Sequence, residues 1–484
     1  MERLIQLFTR WAGEPPAQCL QLGAGGSSRR YYRLTSSATA EGLRPLSVIG
    51  CIADDLRENE AFFSYSRQLR HLHLPVPELY IIDNDRRHYL QQDLGDATLY
   101  SILYEKKRQG GGFDTQMLSL YKQALSDLVS IQDAGPSFDF SLAYPRPHFD
   151  RQSILWDLNY FKYHFLKLAH IPFHEQALED DFNTFASLLL QADCRYFLYR
   201  DFNPRNIMVT NDQSLYYIDY QGARCGAAQY DVASLLYSAK SDLPSAIRNE
   251  LLNHYLLCRN LHGEQRRTWL HHFHLYLYLR ILQTLGAYGY RGLFERKDYF
   301  LHSIPLALRN LSQLTLEHPE PLAKLPELTK VISAATNISH PSFSGTDADA
   351  PCDSTLTVLI QSFSYKQGLP SDDSGNGGGH IFDCRALPNP GRYPQYKQYT
   401  GKDRPVVDFL RQQPPVDLFL QHAQAIVSQS IEKYLERHFT HLSVSFGCTG
   451  GQHRSVYCAE TLATNLKEKY PEVIFTVRHR EQDR

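Results

Sequence analysis

The sequence predicts an α+β domain built in two lobes, followed by a smaller α/β domain, and three observations carry that expectation. Asp201 and Asn206 stand five positions apart in Tyr199-Arg-Asp-Phe-Asn-Pro-Arg-Asn206, between apolar runs at 196–198 and 207–209, and Asp219 follows the next run at 215–218. Residues 334–354 are small and polar with no hydrophobic period, the composition of a linker. Beyond them 442–447 reads as a strand, 448–453 as a glycine-bearing loop and 456–470 as a helix. At 484 residues, 43% hydrophobic and 21% charged, the chain is globular and long enough for separate cores. We therefore expect domains at 1–333 and 355–484, joined by 334–354.

Each element has a local reason. From Gly23 to Ser28 the residues are small, so Gly25, Gly26, Ser27 and Ser28 can bring backbone N–H groups close to phosphate oxygens, with Arg29 and Arg30 next in the chain. A strand at 46–52 holds no lysine, and Glu60, on the helical stretch 59–72 that follows, is the candidate carboxylate partner of the cation that binds phosphate. Gln92 and Leu94 belong to a hinge-like segment, 91–94. Met117, Leu120, Tyr121, Ala124, Leu128 and Ile131 recur at three and four residues and mark a core helix. The aromatic, polar segment 150–167 carries Trp156, Asp157 and Tyr160, candidates to stack on and hydrogen-bond a sugar, and it reads equally as a packed amphipathic helix. Arg205 is a further candidate for substrate contact. His271 and His274 can share a helix face, but no further ligands are spaced for zinc.

The spacing around Asp201 points to phosphoryl transfer. That reaction spreads charge over peripheral oxygens, so a protein must position an acceptor, hold Mg²⁺ and cancel charge. Asp201 suits the acceptor hydroxyl, while Asn206 and Asp219 supply the hard oxygen ligands that Mg²⁺ prefers.

These motifs resemble the aminoglycoside phosphotransferase and choline kinase type of small-molecule kinase. The matching stretches are 23–34, Gln92-Asp-Leu-Gly95, the Asp201 loop, 218–224 and 229–236. The likeness is strongest to the branch that phosphorylates the anomeric hydroxyl of N-acetylmuramate and N-acetylglucosamine. It implies a protein-kinase-like two-lobe fold, ATP and Mg²⁺ as cofactors, an amino sugar from cell-wall turnover as acceptor, and Asp231 as a structural carboxylate. That branch tolerates the missing lysine, which leaves phosphate charge to Arg29 or Arg30.

In the second domain, Gly447-Cys-Thr-Gly-Gly-Gln-His-Arg-Ser455 joins a strand to a helix start, where backbone N–H groups and a helix N-terminus favour an anion. Cys448, Thr449, Gly450, Gly451, Gln452, His453, Arg454 and Ser455 form the expected phosphate loop. Cys448 and Arg454 also have the letters of a tyrosine-phosphatase loop, but Gly447 stands where those enzymes usually carry His and no general acid is assigned by spacing. From 356 to 480 the domain is similar to the C-terminal domain of the RNase adapter RapZ, through 362–370, 382–390, 400–403, 447–457 and 478–480. The resemblance implies an α/β domain of the RapZ C-terminal type that binds amino-sugar phosphate, with Arg385, Asn389, Arg454 and His479 around the ligand. It also implies RNA as a partner, which the nearly balanced charge beyond 355 and the short Glu481-Gln-Asp-Arg484 end argue against.

Net charge is −2, and nine cysteines are scattered without a Cys-x-x-Cys pair, which predicts reduced thiols in a cytoplasmic protein. No transmembrane or secretory pattern is expected. The readings are a kinase for an amino sugar fused to a domain sensing a sugar phosphate, or a non-catalytic adapter for RNA or protein that retains a nucleotide-sensing fold.

Overall fold

The computed structural model describes residues 1–22, 29–37, 46–338, 356–370, 379–437 and 439–482. The expected glycine-rich turn at 23–28 and most of the linker lie outside the described residues. The chain divides into two units, one holding Met1–Tyr290 and the helices after Ser303, the other holding Arg291–His302 and the described residues from Leu356 onward.

Alternating burial builds the small lobe. Strands β1 (Gln18–Gln21), β2 (Arg30–Thr35), β3 (Ser47–Ile52), β4 (Leu79–Ile82) and β5 (His88–Gln92) form an antiparallel sheet in the order β1-β2-β3-β5-β4. One face is covered by the helix Glu2–Ala12, whose Leu4, Leu7 and Phe8 are buried with Leu34, Val48, Ile52 and Leu90. The helix Leu56–His71 begins where the Asp55 side chain accepts from the N–H groups of Arg57 and Glu58. Its Phe62 and Phe63 pack on Tyr89, a residue of β5.

The larger lobe is helical. The predicted core helix spans Thr115–Asp133 and buries the six periodic residues named above. Asp150 caps the helix Arg151–Phe161, which runs on through a π-helical turn at Lys162–Leu166. The long helix Gly263–Tyr288 packs against Arg151–Phe161 and against the helix Gln229–Leu236. His274 stacks on His318 with ring centroids 3.6 Å apart, and burial lowers the pKa of His274 to about 4. Two short antiparallel pairs complete the lobe: β6 (Tyr196–Leu198) with β9 (Arg224–Gly226), and β7 (Ile207–Val209) with β8 (Leu215–Tyr217). The loop bearing Asp201 joins β6 to β7, and Asp219 follows β8.

In the second unit, β10 (Thr357–Ser364), β11 (Gly379–Asp383), β12 (His441–Cys448) and β13 (Ile474–His479) form a parallel sheet in the order β11-β12-β10-β13. The helices Arg404–Arg411, Pro414–Glu436 and Arg454–Lys469 supply Val406, Leu410, Val427, Ile431, Leu462 and Leu466 to its core. Parallel strands direct their C-terminal ends to one edge, where such sheets hold ligands. Ser364, Asp383, Cys448 and His479 all end strands there. Among the described residues, no helix is long and apolar enough to cross a membrane.

Candidate functional site

The Asp201 loop is fixed from beneath by a buried carboxylate. Asp231, on the helix Gln229–Leu236, accepts from the backbone N–H groups of Tyr199 at 2.7 Å and Arg200 at 2.9 Å. Burial raises its carboxyl to about 7, against the lowering effect of those two hydrogen bonds. Arg200 has a φ of 79° and Asp219 a φ of 69°, left-handed conformations that side chains rarely adopt outside constrained sites.

Three predicted residues meet above this support. The Asn206 side chain donates to the Asp201 carbonyl at 3.0 Å and to Asp219 Oδ2 at 3.3 Å, and Asn203 donates to Asp201 Oδ1 at 3.0 Å. Gln221 holds the other Asp219 oxygen at 2.7 Å. Burial, then the negative charge of Asp201, raises the pKa of Asp219. A crowded carboxylate beside an amide is a donor set that suits a hard divalent cation, so Asn206 and Asp219 fit Mg²⁺.

Asp201 and Asp219 open into a cleft of about 310 Å³, lined also by Glu58, Tyr144, Arg200, Gln221, Arg224, Tyr230, Arg280 and Gln283. Its arginines differ in their commitments. Arg200 is locked in a bidentate pair with Asp157 at 2.6 and 2.5 Å and lies over the ring of Phe149. Arg280 stands 3.5 Å from Asp201 Oδ1 and donates to Ser234 Oγ at 3.1 Å. Arg224 donates to the Gly222 carbonyl, and burial together with the charge of Arg200 lowers its pKa to about 10.

The structure places several expected residues elsewhere. Glu60 is paired with Arg86, and Glu58 reaches the cleft instead and approaches Arg29 at 3.3 Å. Asp157 is engaged by Arg200, a residue of the Asp201 loop. Trp156 is 45% exposed beside Arg146, Tyr160 packs on His164 and Tyr290, and Arg205 lies over Tyr100. None of these four is among the residues lining the cleft. Gln92 and Leu94 line a separate cleft of about 380 Å³ with Asp93, Asp96 and the β7–β8 turn. Arg30 is exposed, 3.8 Å from Asp54. Sequence reasoning missed Glu58, Tyr144, Arg224 and Arg280; the helix phase, with Glu58 one turn before the buried Phe62, was the available signal for the first.

In the second unit the predicted loop closes around Cys448. Its sulfur accepts from the Gly451 N–H at 3.2 Å and lies 3.2 Å from Ser455 Oγ. Burial pushes this thiol up, but hydrogen bonds from Ser455 and from backbone N–H groups outweigh it and hold the pKa below the ordinary value. Arg454, 4% exposed, donates through Nη1 to the carbonyls of Arg385 and Leu387, while its Nε is buried without a hydrogen-bond partner among the described residues. Ser364 Oγ donates to the Thr449 carbonyl at 2.8 Å, Gln452 donates to the Tyr399 carbonyl, and His453 Nε2 lies 3.1 Å from the Tyr396 carbonyl. Gly450 lies in the same loop. A side chain at Gly447 would meet Phe363 and Tyr365 at 2.5 Å, which explains why no histidine stands there.

The outer expected ligands are engaged within the domain. Arg385 pairs with Asp383 and lies over Tyr365, and the Asn389 side chain accepts from the Gly391 N–H. Nδ1 of His479 contacts Ser362 Oγ at 2.8 Å and its Nε2 contacts Glu460 at 2.9 Å, which leaves this histidine buried at the sheet end.

The two-lobe architecture with this cleft defines the first unit as kinase-like. Residues 18–270 match the model of the phosphotransferase enzyme family, and the chain belongs to that family. Residues 356–483 match the RapZ C-terminal domain. A nucleotide-binding protein of Delftia acidovorans is 41% identical over 128 residues, which cover 26% of this chain and 40% of that protein. One from Laribacter hongkongensis is 35% identical over 218 residues, 43% of this chain and 76% of that protein. The chain spans 40% and 55% of the Delftia acidovorans and Acidovorax ebreus relatives it matches. Among solved structures, choline kinase LicA from Streptococcus pneumoniae is similar over 64% of this chain and 98% of its own, with 17% identity and a TM-score of 0.43. A Plasmodium vivax ethanolamine kinase covers 60% and 80%, with 12% identity and a TM-score of 0.44.

Proposed function

We propose that the first domain, residues 1–333, transfers the γ-phosphate of ATP to a hydroxyl of an N-acetylated amino sugar from cell-wall turnover. The convergence of Asp201, Asn206 and Asp219 in one cleft carries the reading. Asp201 orients the acceptor hydroxyl and accepts its proton as the oxygen attacks phosphorus. Asn206 and Asp219 would hold Mg²⁺, which when bound neutralises charge on the phosphates. The hinge backbone near Gln92 and Leu94 meets adenine.

The lining of the cleft also supports an acceptor that carries negative charge. Arg280, 3.5 Å from Asp201, and Arg224 both line the cleft, and their positive charge disfavours quaternary amines and aminoglycosides. An acceptor bearing a carboxylate, such as N-acetylmuramate, gains an attractive charge there. The second domain, residues 355–484, binds a phosphorylated amino sugar at 448–455, where Arg454 Nε and the loop N–H groups are the donors. Among the described residues the cysteines are unpaired thiols, four of them buried, which suits a cytoplasmic setting.

The test is an acceptor panel of N-acetylmuramate, N-acetylglucosamine, glucosamine and choline with Mg-ATP. N-acetylmuramate is expected to have the highest kcat/KM, and Arg280→Ala to lower its advantage over N-acetylglucosamine. Turnover of choline alone would overturn the acceptor assignment. Failure of every acceptor, joined to salt-sensitive RNA binding, would favour the adapter reading.

A further inference from the structure

The strand that would carry a phosphate-binding lysine has none, yet the structure puts a cation in that place. On β3 the pleat turns Val48 and Ile52 toward the helix Glu2–Ala12, so Cys51 faces the opposite side, where the helix Leu56–His71 packs. Cys51 is paired across the sheet with Tyr31 on β2 and Tyr89 on β5. Arg29, two residues before Tyr31, falls on the same face. Its Nη1 donates to the Tyr89 hydroxyl at 2.8 Å, its Nη2 lies 3.3 Å from Glu58 Oε1, and its guanidinium sits 5.3 Å from the Phe62 ring centroid. Burial pushes the Cys51 thiol up to about 11, with Tyr89 and Arg29 as its hydrogen-bonding neighbours. The guanidinium therefore occupies the space above Cys51 that a lysine on β3 would fill.

Its electrostatic partners point into the cleft. Glu58 lines the same cavity as Asp201 and Asp219, and the charges of Arg29 and Glu58 both reach the Asp219 carboxyl. Kinases place a β3 lysine between a helix carboxylate and the nucleotide phosphates. Here the helix carboxylate is Glu58, one turn before Phe62. Arg30 is turned outward to Asp54 and is not available for this task.

We infer that Arg29 is the phosphate-binding cation of this kinase, delivered from the start of β2 in place of a lysine on β3, with Glu58 as its positioning carboxylate. A guanidinium carries five donors in a planar fork, enough to hold Glu58 and engage phosphate oxygens once nucleotide is present. The inference rests on the kinase reading above, and the experiment separates the two.

Mg-ATP and adenosine affinities are measured by calorimetry on the full chain, for wild type, Arg29→Met, Glu58→Gln and the double variant Arg29→Met/Cys51→Lys. Wild type is expected to bind Mg-ATP; failure to do so overturns the kinase reading and this inference with it. Arg29→Met is expected to weaken Mg-ATP binding by about tenfold or more, the size of one lost charge-assisted contact, with adenosine affinity unchanged. Cys51→Lys in the same chain is expected to recover most of the loss, an outcome that a merely structural role for Arg29 does not give. Mg-ATP affinity within twofold of wild type in Arg29→Met overturns the inference while leaving the kinase reading intact. Should Arg29→Met not fold, Glu58→Gln decides: a threefold or greater loss of Mg-ATP affinity at constant adenosine affinity supports the assignment, and an unchanged affinity overturns it.

Discussion

Removing the Asp157 carboxylate tests how the Asp201 loop is held. Asp157 and Arg200 form a bidentate pair whose side chains are 7% and 21% exposed, and Arg200 precedes Asp201. In Asp157→Ala the guanidinium loses its counter-charge but keeps the Tyr230 hydroxyl as acceptor. Breaking a buried pair costs about 3–5 kcal/mol, and the residual exposure of Arg200 puts this site near the lower end, about 3 kcal/mol. For a domain of this size that is a fall of roughly 4 °C in the first thermal transition. The loop beside the acceptor also loses its anchor, so kcat is expected to fall by about tenfold or more through misplacement of Asp201. The acceptor KM is expected to stay within threefold, because Asp157 does not line the cleft. Thermal unfolding by circular dichroism and steady-state kinetics read both effects. An unchanged transition together with a tenfold rise in acceptor KM would refute the reasoning and return Asp157 to the acceptor pocket.

Further expectations follow from other buried groups. Asp231 has its carboxyl raised to about 7 in the fold, against about 4 in an unfolded chain. The native state then holds the proton more tightly, so this contribution to stability is full below about pH 4 and is lost as pH rises to about 7. Relative to Asp231→Asn, the urea midpoint of wild type is expected to fall across that window; a parallel course of the two curves contradicts it. Gly447→Ala forces a methyl group against Phe363 and Tyr365, and a cost of about 1–3 kcal/mol is expected in the unfolding of the second domain. A neutral Gly447→Ala would show that those rings yield without cost. Arg454→Met is expected to weaken binding of an amino-sugar phosphate by about tenfold or more while leaving ATP turnover untouched, measured by calorimetry and by kinase assay; equal affinity in the variant removes Arg454 from the ligand.

The parts legible in the sequence are those whose geometry is set within a few residues. Asp201 and Asn206 share one loop between short strands, and Asp219 lies one hairpin later, so spacing alone brought them together. Cys448 to Ser455 is likewise one turn joining a strand to a helix. The parts that sequence misplaced depend on packing between distant elements. Glu58 and Glu60 lie two residues apart on one helix, and only the burial of Phe62 and Phe63 decides which carboxylate reaches the cleft. Asp157 looked polar and available, but its partner lies 43 positions away on the β6–β7 loop and becomes its neighbour only when the helix Arg151–Phe161 packs beside that loop. Arg280 and Arg224 reach the cleft from the long helix and from β9, which no local pattern indicates. Arg385, Asn389 and His479 stand at the expected edge of the second sheet, yet their side chains are turned to Asp383, Gly391 and the Ser362–Glu460 pair, an arrangement fixed by tertiary hydrogen bonds.

In the proposed reaction Asp201 serves phosphoryl transfer to an amino sugar. The most direct measurement is ³¹P NMR of the full chain incubated with Mg-ATP and N-acetylmuramate, for wild type and Asp201→Asn with nucleotide affinity checked in parallel. The account predicts a new sugar-phosphate resonance that grows as the γ-phosphate of ATP declines, and a loss of about 10²-fold or more in its rate in Asp201→Asn at unchanged ATP affinity. A sugar phosphate formed equally fast by both proteins, or ATP bound by wild type with no sugar phosphate formed, would contradict it.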